Sequence, residues 1–396
     1  MILRYPSYYE DFHCIAGACE DTCCAGWEID IDDESYQYYQ SVDGVFGQRL
    51  RENIQEYEEE NEGAYERHGF ILKEKGRCPF LDEENLCELY QELGEEALCD
   101  VCTDTPRNYL EYGGAREVAV SASCPEAGRL IYRSSEKTTF VEKEIEEELD
   151  FEESREEKNL ARAICQARDE ALRILQNREL SLYRRILLFL AYGEEVQECL
   201  NTNAPEKIEK LRPEDYCRRL KQRHRMSEMT CAEGLYEMFL HRMRSFSEMV
   251  SIREDWEEML CLLQEYFVTP EKGAQEYHKA LKEWQTFMEK EEREYEYEHL
   301  LVYYAFMCLP RCVDDFDFLR QVKFTVVSFL MLRDMDVVWF EKQGHRYTKE
   351  DRVRMARIYA KEVEHSQENM DFLMEEILFE EAYTTDSLHG SVGKVE

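Results

Sequence analysis

The stretch Cys14-Ile-Ala-Gly-Ala-Cys19-Glu-Asp-Thr-Cys23-Cys24-Ala-Gly-Trp27 places four cysteines within fourteen residues. It has little helical or strand periodicity, so we do not expect it to build a regular hydrophobic core. A segment of this kind usually needs a staple, and a metal ion can provide one. Because the spacings are short, one loop can present several sulfurs to a single centre. The stretch therefore predicts a metal-bound module.

Five further cysteines follow in three short motifs. The motifs are Cys78-Pro79-Phe80-Leu81-x5-Cys87, Cys99-x2-Cys102-x3-Pro106-Arg107 and Ser123-Cys124-Pro125-Glu126. Separate loops can close the coordination positions that the first loop leaves open. Thiolates are soft ligands and select iron–sulfur clusters, zinc or Cu(I) over Mg²⁺ or Ca²⁺. Spacing alone fits either a [4Fe–4S] cluster or a structural zinc site, and both stay open at this point.

The whole chain of 396 residues carries 16 cysteines, nine of them between Cys14 and Cys124. The N-terminus lacks the apolar region of a signal peptide, and no apolar run approaches the roughly 20 residues of a membrane span. We therefore expect a cytoplasmic protein whose thiols stay reduced and bind metal. The seven cysteines beyond Cys124 are predicted to be core or surface thiols.

Charge narrows the classes of partner. The chain has 87 acidic and 49 basic side chains and a formal net charge of −38. Such a surface repels phosphate backbones and anionic lipid, so we expect neither a nucleic-acid nor a membrane partner. It favours a cationic partner, such as a protein with exposed lysines. The sequence does not indicate an oligomeric state.

The remainder of the chain is predicted to be helical. Leu160, Ile164, Ala167 and Ala171 recur at three- and four-residue steps and so share one helix face. Residues 324–339 are apolar on most faces and predict a central helix buried by its neighbours. Thr348 is a predicted N-cap, with Asp351 three residues on.

In the N-terminal third, the alternation of Trp27-Glu28-Ile29-Asp30-Ile31 predicts a short strand, and Asp32 is placed to cap a following helix. The predicted fold is mainly α, with an irregular Cys-rich metal-binding N-terminal module followed by an all-helical bundle-like region. The predicted divisions are a Cys-rich metal module over 1–135, an acidic linker over 136–156, a helical domain over 157–383 and a flexible tail over 384–396.

Taken together, the cysteine motifs of residues 8–130 resemble the flagellin lysine-N-methylase family in order and spacing. The resemblance implies methylation of lysine side chains on flagellin or a similar surface protein. It also implies S-adenosylmethionine as methyl donor and a cysteine-bound iron–sulfur cluster, with zinc as the alternative metal. The cysteines that correspond to those of the family are Cys14, Cys19, Cys23, Cys24, Cys78, Cys87, Cys102 and Cys124.

Two positions depart from the family's pattern. Cys99 falls where the family has another residue, so it is the least expected ligand. The family's Thr-Cys-x-x-[Tyr/Phe]-Pro-Arg element is Val101-Cys102-Thr103-Asp104-Thr105-Pro106-Arg107 here and lacks the aromatic residue.

Lysine methylation requires the ε-amine to lose its proton, and an aromatic-lined pocket favours this step. Tyr303 and Tyr304 are candidate material, but aromatics at helical spacing are predicted to be core. No strand–GxGxG–helix element appears, so a Rossmann-type donor site is not supported and no catalytic residue is assigned. The missing donor motif supports an alternative function, a non-catalytic metal-stapled helical module that binds a basic protein.

Overall fold

A computed structural model describes residues 1–27, 29–57, 67–147, 153–226, 232–269 and 273–392. Helices dominate these ranges, as predicted. The strands are β1 Ile2–Pro6, β2 Asp30–Ile31, β3 Ile54–Tyr57, β4 Arg67–Phe70, β5 Arg107–Tyr112, β6 Ala115–Val120 and β7 Phe140–Glu144. The helices of the N-terminal third are α1 Asp33–Ser41, α2 Gly44–Glu52, α3 Glu88–Leu93, α4 Asp100–Asp104 and α5 Pro125–Tyr132.

The later helices account for most of the chain beyond residue 154. They are α6 Arg155–Leu175, α7 Leu182–Asn201, α8 Pro213–Met226, α9 Ala232–Glu248, α10 Glu254–Phe267, α11 Ala274–Lys290, α12 Glu294–Cys308, α13 Cys312–Asp315, α14 Phe318–Lys342, α15 Lys349–Val363, α16 Gln367–Phe379 and α17 Thr385–Val392. No helix in the described ranges combines the length and the apolar character needed to cross a bilayer.

Helix α14 is the centre of the helical region. Every residue from Phe324 to Phe340 is buried, which confirms the predicted central helix. Its carboxylates are paired rather than isolated, because Arg242 donates to Asp334 at 2.6 Å and Tyr297 donates to Asp336 at 2.8 Å. Helices α7, α12, α10, α11, α15, α16 and α17 pack around it. Pairing of this kind allows the few charged residues of this mainly apolar helix to lie in the core.

The predicted helix caps are confirmed. Thr348 accepts a hydrogen bond from the Asp351 amide, and the Asp351 side chain accepts one in return from the Thr348 amide, so α15 begins with a capping box. Asp32 accepts a hydrogen bond from the Ser35 amide at 2.8 Å and caps α1. The predicted strand is shorter than its alternation suggested, because pairing with β4 covers only Asp30 and Ile31, and Glu28 lies outside the described residues.

The N-terminal third contains more regular structure than the sequence predicted. Four strands form a sheet in the order β5-β6-β1-β7, in which β1 is parallel to β6 and antiparallel to β7. A second sheet has the order β2-β4-β3 and packs with α1 and α3 around a separate hydrophobic core. The buried members of that core include Tyr39, Phe70, Phe80 and Leu89. The Cys-rich region therefore builds a core of its own, contrary to expectation.

The predicted linker and the predicted flexible tail both contain regular structure. The predicted acidic linker over 136–156 includes β7, whose residues pair with β1 from Ile2 to Pro6, and residues 148–152 lie outside the described ranges. The predicted flexible tail over 384–396 contains α17, which buries Leu388 and Val392, while residues 393–396 are not described. Apolar side chains in both segments reach neighbouring elements, and this contact orders them.

Residues before 135 also join the main core. Ala119, Ala122, Ile131 and Tyr132 belong to the same buried cluster as the helices α6, α7, α12 and α14. Helix α5 packs directly against α15. The four-stranded sheet and α5 thus attach to the helical region, whereas the core around the β2-β4-β3 sheet is a distinct unit beside it.

Candidate functional site

A cavity of about 650 Å³ lies between the cysteine loops and the end of α15. Seven of the eight cysteines implied by the family resemblance line it. They are Cys14, Cys19, Cys23, Cys24, Cys87, Cys102 and Cys124. The eighth, Cys78, does not line the cavity and is buried. From the other side, Lys361 and His365 complete the wall.

Backbone hydrogen bonds tie the first cysteine loop to the second. The amide of Cys78 donates to the carbonyl of Cys24 at 2.9 Å, and the amide of Gly26 donates to the carbonyl of Gly76 at 3.0 Å. Gly26 has φ of +88°, and a Cβ there would lie 2.8 Å from Nη1 of Arg253. The positive φ favours glycine at this position, and a Cβ would also require the end of the Arg253 side chain to shift.

Three of the cysteines lie at the N-termini of helices. Cys87, Cys99 and Cys124 are the N-cap residues of α3, α4 and α5, respectively. At Cys124, burial raises the pKa of the thiol to about 11, against the lowering effect of the Ala127 and Glu126 backbone amides. Amides at a helix start stabilise a thiolate, which is the form that binds metal.

The thiols around the cavity form one connected set, because Cys23 also interacts with Cys24. Cys124 interacts electrostatically with Cys19 and Cys23. Cys102 in turn interacts with Cys99, Cys24 and Cys78. Burial raises the pKa of Cys78 to about 12, so its proton stays on sulfur at neutral pH unless a metal replaces it.

The sulfurs line one cavity without meeting at one point. Within the described ranges, no three cysteine sulfurs lie within 4.8 Å of one another, and the group of three metal-binding side chains that does so is Glu283, Glu341 and His345, elsewhere in the fold. The donor set around the cavity is nonetheless rich in thiols, and the thiols of the pairs Cys23–Cys24 and Cys99–Cys102 interact with each other. This chemistry fits a thiolate-bound centre rather than a hard cation.

Sequence reasoning did not identify the residues that α15 and the segment after it bring to the cavity. Lys361 Nζ donates to the carbonyl of Thr22 at 3.0 Å and lies 2.9 Å from the Asp21 carboxylate. His365 lies edge-on to Trp27, with ring centroids 5.4 Å apart. The helical periodicity of residues 353–363 marks only the core-facing side of α15, so no sequence signal distinguished these two residues.

Asp21 joins the cysteine loop to the helices electrostatically. Its carboxylate faces three cations, Lys361, Arg357 and Arg253. Burial would raise the pKa of Asp21, but the three cations hold it below its usual value. Asp21 is therefore ionised at neutral pH and fixes the loop against α15.

Comparison with known proteins bears directly on this site. A family model described as the FliB lysine N-methylase C-terminal domain matches residues 168–389, more than half of the chain. Those residues include Lys361 and His365 as well as the central helix α14. No solved structure matches the chain.

Three similar proteins come from Salmonella. The flagellar biosynthetic protein FliU of Salmonella muenchen is 30% identical over 139 residues, which are 35% of this chain and 81% of FliU. The lysine-N-methylases of Salmonella choleraesuis strain SC-B67 and Salmonella typhimurium strain LT2 are each 30% identical over 141 residues. That match spans 35% of this chain and 35% of each methylase. The family expected from the cysteine motifs is confirmed: this chain belongs to the FliB family of lysine N-methylases.

Proposed function

We propose that the chain is an S-adenosylmethionine-dependent protein lysine N-methyltransferase acting on flagellin or a similar lysine-bearing surface protein. Its family and its relatives named lysine-N-methylase and flagellar biosynthetic protein support this proposal. The observation that carries it is the cavity in which the cysteine loops meet Lys361 and His365 of the methylase-family region. The net charge of −38 favours approach of a lysine-rich substrate.

We further propose that the cavity cysteines hold a metal centre, with a [4Fe–4S] cluster favoured over zinc. The candidate ligands remain those implied by the family, and Cys99 joins them because it contacts Cys102. When bound, such a centre supplies positive charge that neutralises the clustered thiolates. Reduced thiols and metal binding are consistent with a cytoplasmic location, which is part of the proposal.

The cavity has the features that a lysine side chain needs for methylation. Trp27 offers an aromatic surface, which favours ammonium and sulfonium cations. Apolar residues such as Phe12, Ile15 and Leu81 also line the wall, and an apolar environment lowers the pKa of a bound lysine. A deprotonated ε-amine can then attack the sulfonium methyl group.

A methyl-transfer assay tests the enzymatic proposal. Protein prepared without oxygen is incubated with S-adenosylmethionine carrying a labelled methyl group and with purified flagellin. We expect labelled lysine and mass increments of roughly 14 daltons per methyl, with the lysine charge kept. Protein that retains its metal but transfers no label to any lysine-bearing partner would instead favour the alternative of a non-catalytic binding module.

Metal analysis of matched cysteine variants tests the proposed centre. Cys102→Ser removes a sulfur that lines the cavity, whereas Cys261→Ser changes an exposed thiol on α10. We expect the first variant to lose most of its bound iron or zinc and the second to keep it. Equal metal content in both variants would exclude Cys102 as a ligand.

A further inference from the structure

We propose that His365, Ser121 and Glu364 form the path by which the substrate lysine loses its proton. His365 receives the proton in the cavity and Glu364 stores it, while Ser121 connects the two. The inference rests on the proposed lysine methylation and names the groups that make the amine nucleophilic.

The path is continuous from the cavity into the core. His365 lines the cavity, and its Nε2 lies 3.2 Å from Oγ of Ser121. The same hydroxyl lies 3.2 Å from Oε2 of Glu364. Among the described residues, Nδ1 of His365 has no hydrogen-bond partner, so it is available to a ligand in the cavity.

Two tyrosines fix the carboxylate at the inner end. Tyr303 donates to one oxygen of Glu364 and Tyr304 to the other, each at 2.8 Å. The hydroxyl of Tyr303 in turn accepts a hydrogen bond from the Ala122 amide at 2.9 Å. Both tyrosines are buried on α12, as predicted, but their hydroxyls serve this polar site rather than the apolar core alone.

The pKa shifts of His365 and Glu364 favour a proton transfer in which the imidazole ring of His365 stays neutral. Burial and the nearby charge of Lys361 lower the pKa of His365 to about 4, so the ring is neutral at pH 7. Burial raises the pKa of Glu364, against the hydrogen bonds from Tyr304, Tyr303 and Ser121, and so increases its affinity for a proton. A neutral imidazole can accept a proton at one nitrogen while it releases a proton from the other.

The proton balance is complete. The lysine ammonium gives a proton to Nδ1 of His365 as Nε2–H passes its proton to Oγ of Ser121. The Ser121 hydroxyl proton moves to the carboxylate of Glu364. The products are a neutral amine, a neutral imidazole of the other tautomer, an intact serine and a neutral carboxylic acid. The amine then forms an N–C bond to the sulfonium methyl, the C–S bond breaks, and its electrons remain on sulfur as the thioether.

Two other charged groups at the cavity, Lys361 and Asp21, are less suited to this role. Lys361 is already engaged by Asp21 and by the carbonyl of Thr22. Asp21 faces three cations, and its pKa is lowered, so it is a poor proton acceptor. His365 is the cavity group with a path behind it to a carboxylate of raised proton affinity.

Rates of methyl transfer in five variants test the proposal. His365→Gln removes the accepting nitrogen and Glu364→Gln removes the final acceptor, so we expect single-turnover rates to fall by roughly 10²–10⁴-fold. The matched control is Glu362→Gln, the same chemical change at a buried carboxylate two positions away that binds the Ile252 amide instead. We expect the control to transfer at a rate near wild type, Glu364→Asp to recover part of the rate and added imidazole to restore part of the rate of His365→Ala.

Infrared difference spectroscopy provides a readout that does not depend on turnover. Binding of a lysine peptide to the metal-loaded protein, without methyl donor, is expected to produce a carboxylic-acid band that is lost in Glu364→Gln and kept in Glu362→Gln. Undiminished transfer by His365→Gln, or a band that survives in Glu364→Gln, overturns the path while leaving methylation intact. Failure of the wild type to transfer any methyl group overturns both.

Discussion

At the scale of single residues, Glu362 shows how burial of a carboxylate affects stability. Its Oε1 accepts a hydrogen bond from the Ile252 amide at 2.8 Å, while Oε2 has no partner in the part of the chain that the structure describes. Burial raises the pKa of Glu362 to about 7 from a reference value of 4.5, against the hydrogen bond from Ile252. The folded protein therefore prefers the protonated form.

This preference predicts a pH dependence of stability. The folded-state pKa lies above the unfolded value, so the contribution of Glu362 is present below pH 4.5 and is lost as pH rises through about 7. Glu362→Gln cannot ionise and keeps an oxygen for Ile252. Urea unfolding should show the variant gaining stability over wild type between these pH values, by on the order of 3 kcal/mol at most. A difference that is constant with pH would contradict the assignment.

The sequence motifs indicated the cysteine loops around the cavity but not the other residues that line it or lie behind it. The motifs selected eight cysteines, and seven of them line the cavity, because ligand loops carry recognisable spacings. Cys99 was set aside, yet it contacts Cys102. Ser121, Glu364 and His365 carry no local signature, since they are brought together by the packing of α5, α12 and α15 rather than by spacing along the chain.

At the scale of elements, the packing of α5 on α15 shapes one side of the cavity. Cys124 caps the first helix, and His365 follows the end of the second. The two helices approach closely at Gly128, where a Cβ would lie 2.9 Å from Cγ1 of Val353. Valine is stiff about χ1, so it cannot easily move aside.

Because α5 and α15 approach closely at Gly128, we expect the stability effects of substitutions at Gly128 and Val353 to be coupled. Gly128→Ala overfills the contact, and we expect it to destabilise the fold by about 1–3 kcal/mol. Val353→Ala removes the clashing methyl groups, so the double variant should lose less stability than the sum of the single variants. Urea unfolding of the four proteins measures the difference. Additive effects would show that the two helices do not meet at this contact.

Elements with local signals were predicted, and elements that depend on distant pairing were not. The cap at Thr348 and the apolar run of α14 are properties of consecutive residues. In contrast, β1 pairs with β6 more than 110 positions away, and β7 is an edge strand with three exposed residues in an acidic segment. An exposed edge strand needs no strong apolar alternation, so the sequence did not reveal it.

At the scale of the whole molecule, two hydrophobic cores are joined beside the cavity. The core around the β2-β4-β3 sheet belongs to the Cys-rich region, and the larger core belongs to the helices. Asp21 connects them through Lys361, Arg357 and Arg253, and its side chain is 9% exposed. The cavity therefore depends on an ionic contact between the two parts.

Removal of this contact is expected to loosen the cysteine loop. Asp21→Asn leaves Lys361 without its carboxylate, although Arg253 and Arg357 keep Asp255. We expect a loss of about 3 kcal/mol, at the low end for a broken buried pair, and faster hydrogen exchange in residues 14–27. The control Glu20→Gln breaks the ion pair between Glu20, whose side chain is 51% exposed, and Arg129. This substitution should lower the free energy of unfolding by less than about 1 kcal/mol. Equal effects of the two substitutions would contradict the proposed anchor.

We propose above that cysteines from separate loops bind one metal centre in the cavity closed by α15. X-ray absorption at the iron and zinc edges of protein purified without oxygen tests it most directly. We expect bound metal with a first coordination shell of sulfur. A shell dominated by nitrogen or oxygen, or protein without bound metal, would contradict it.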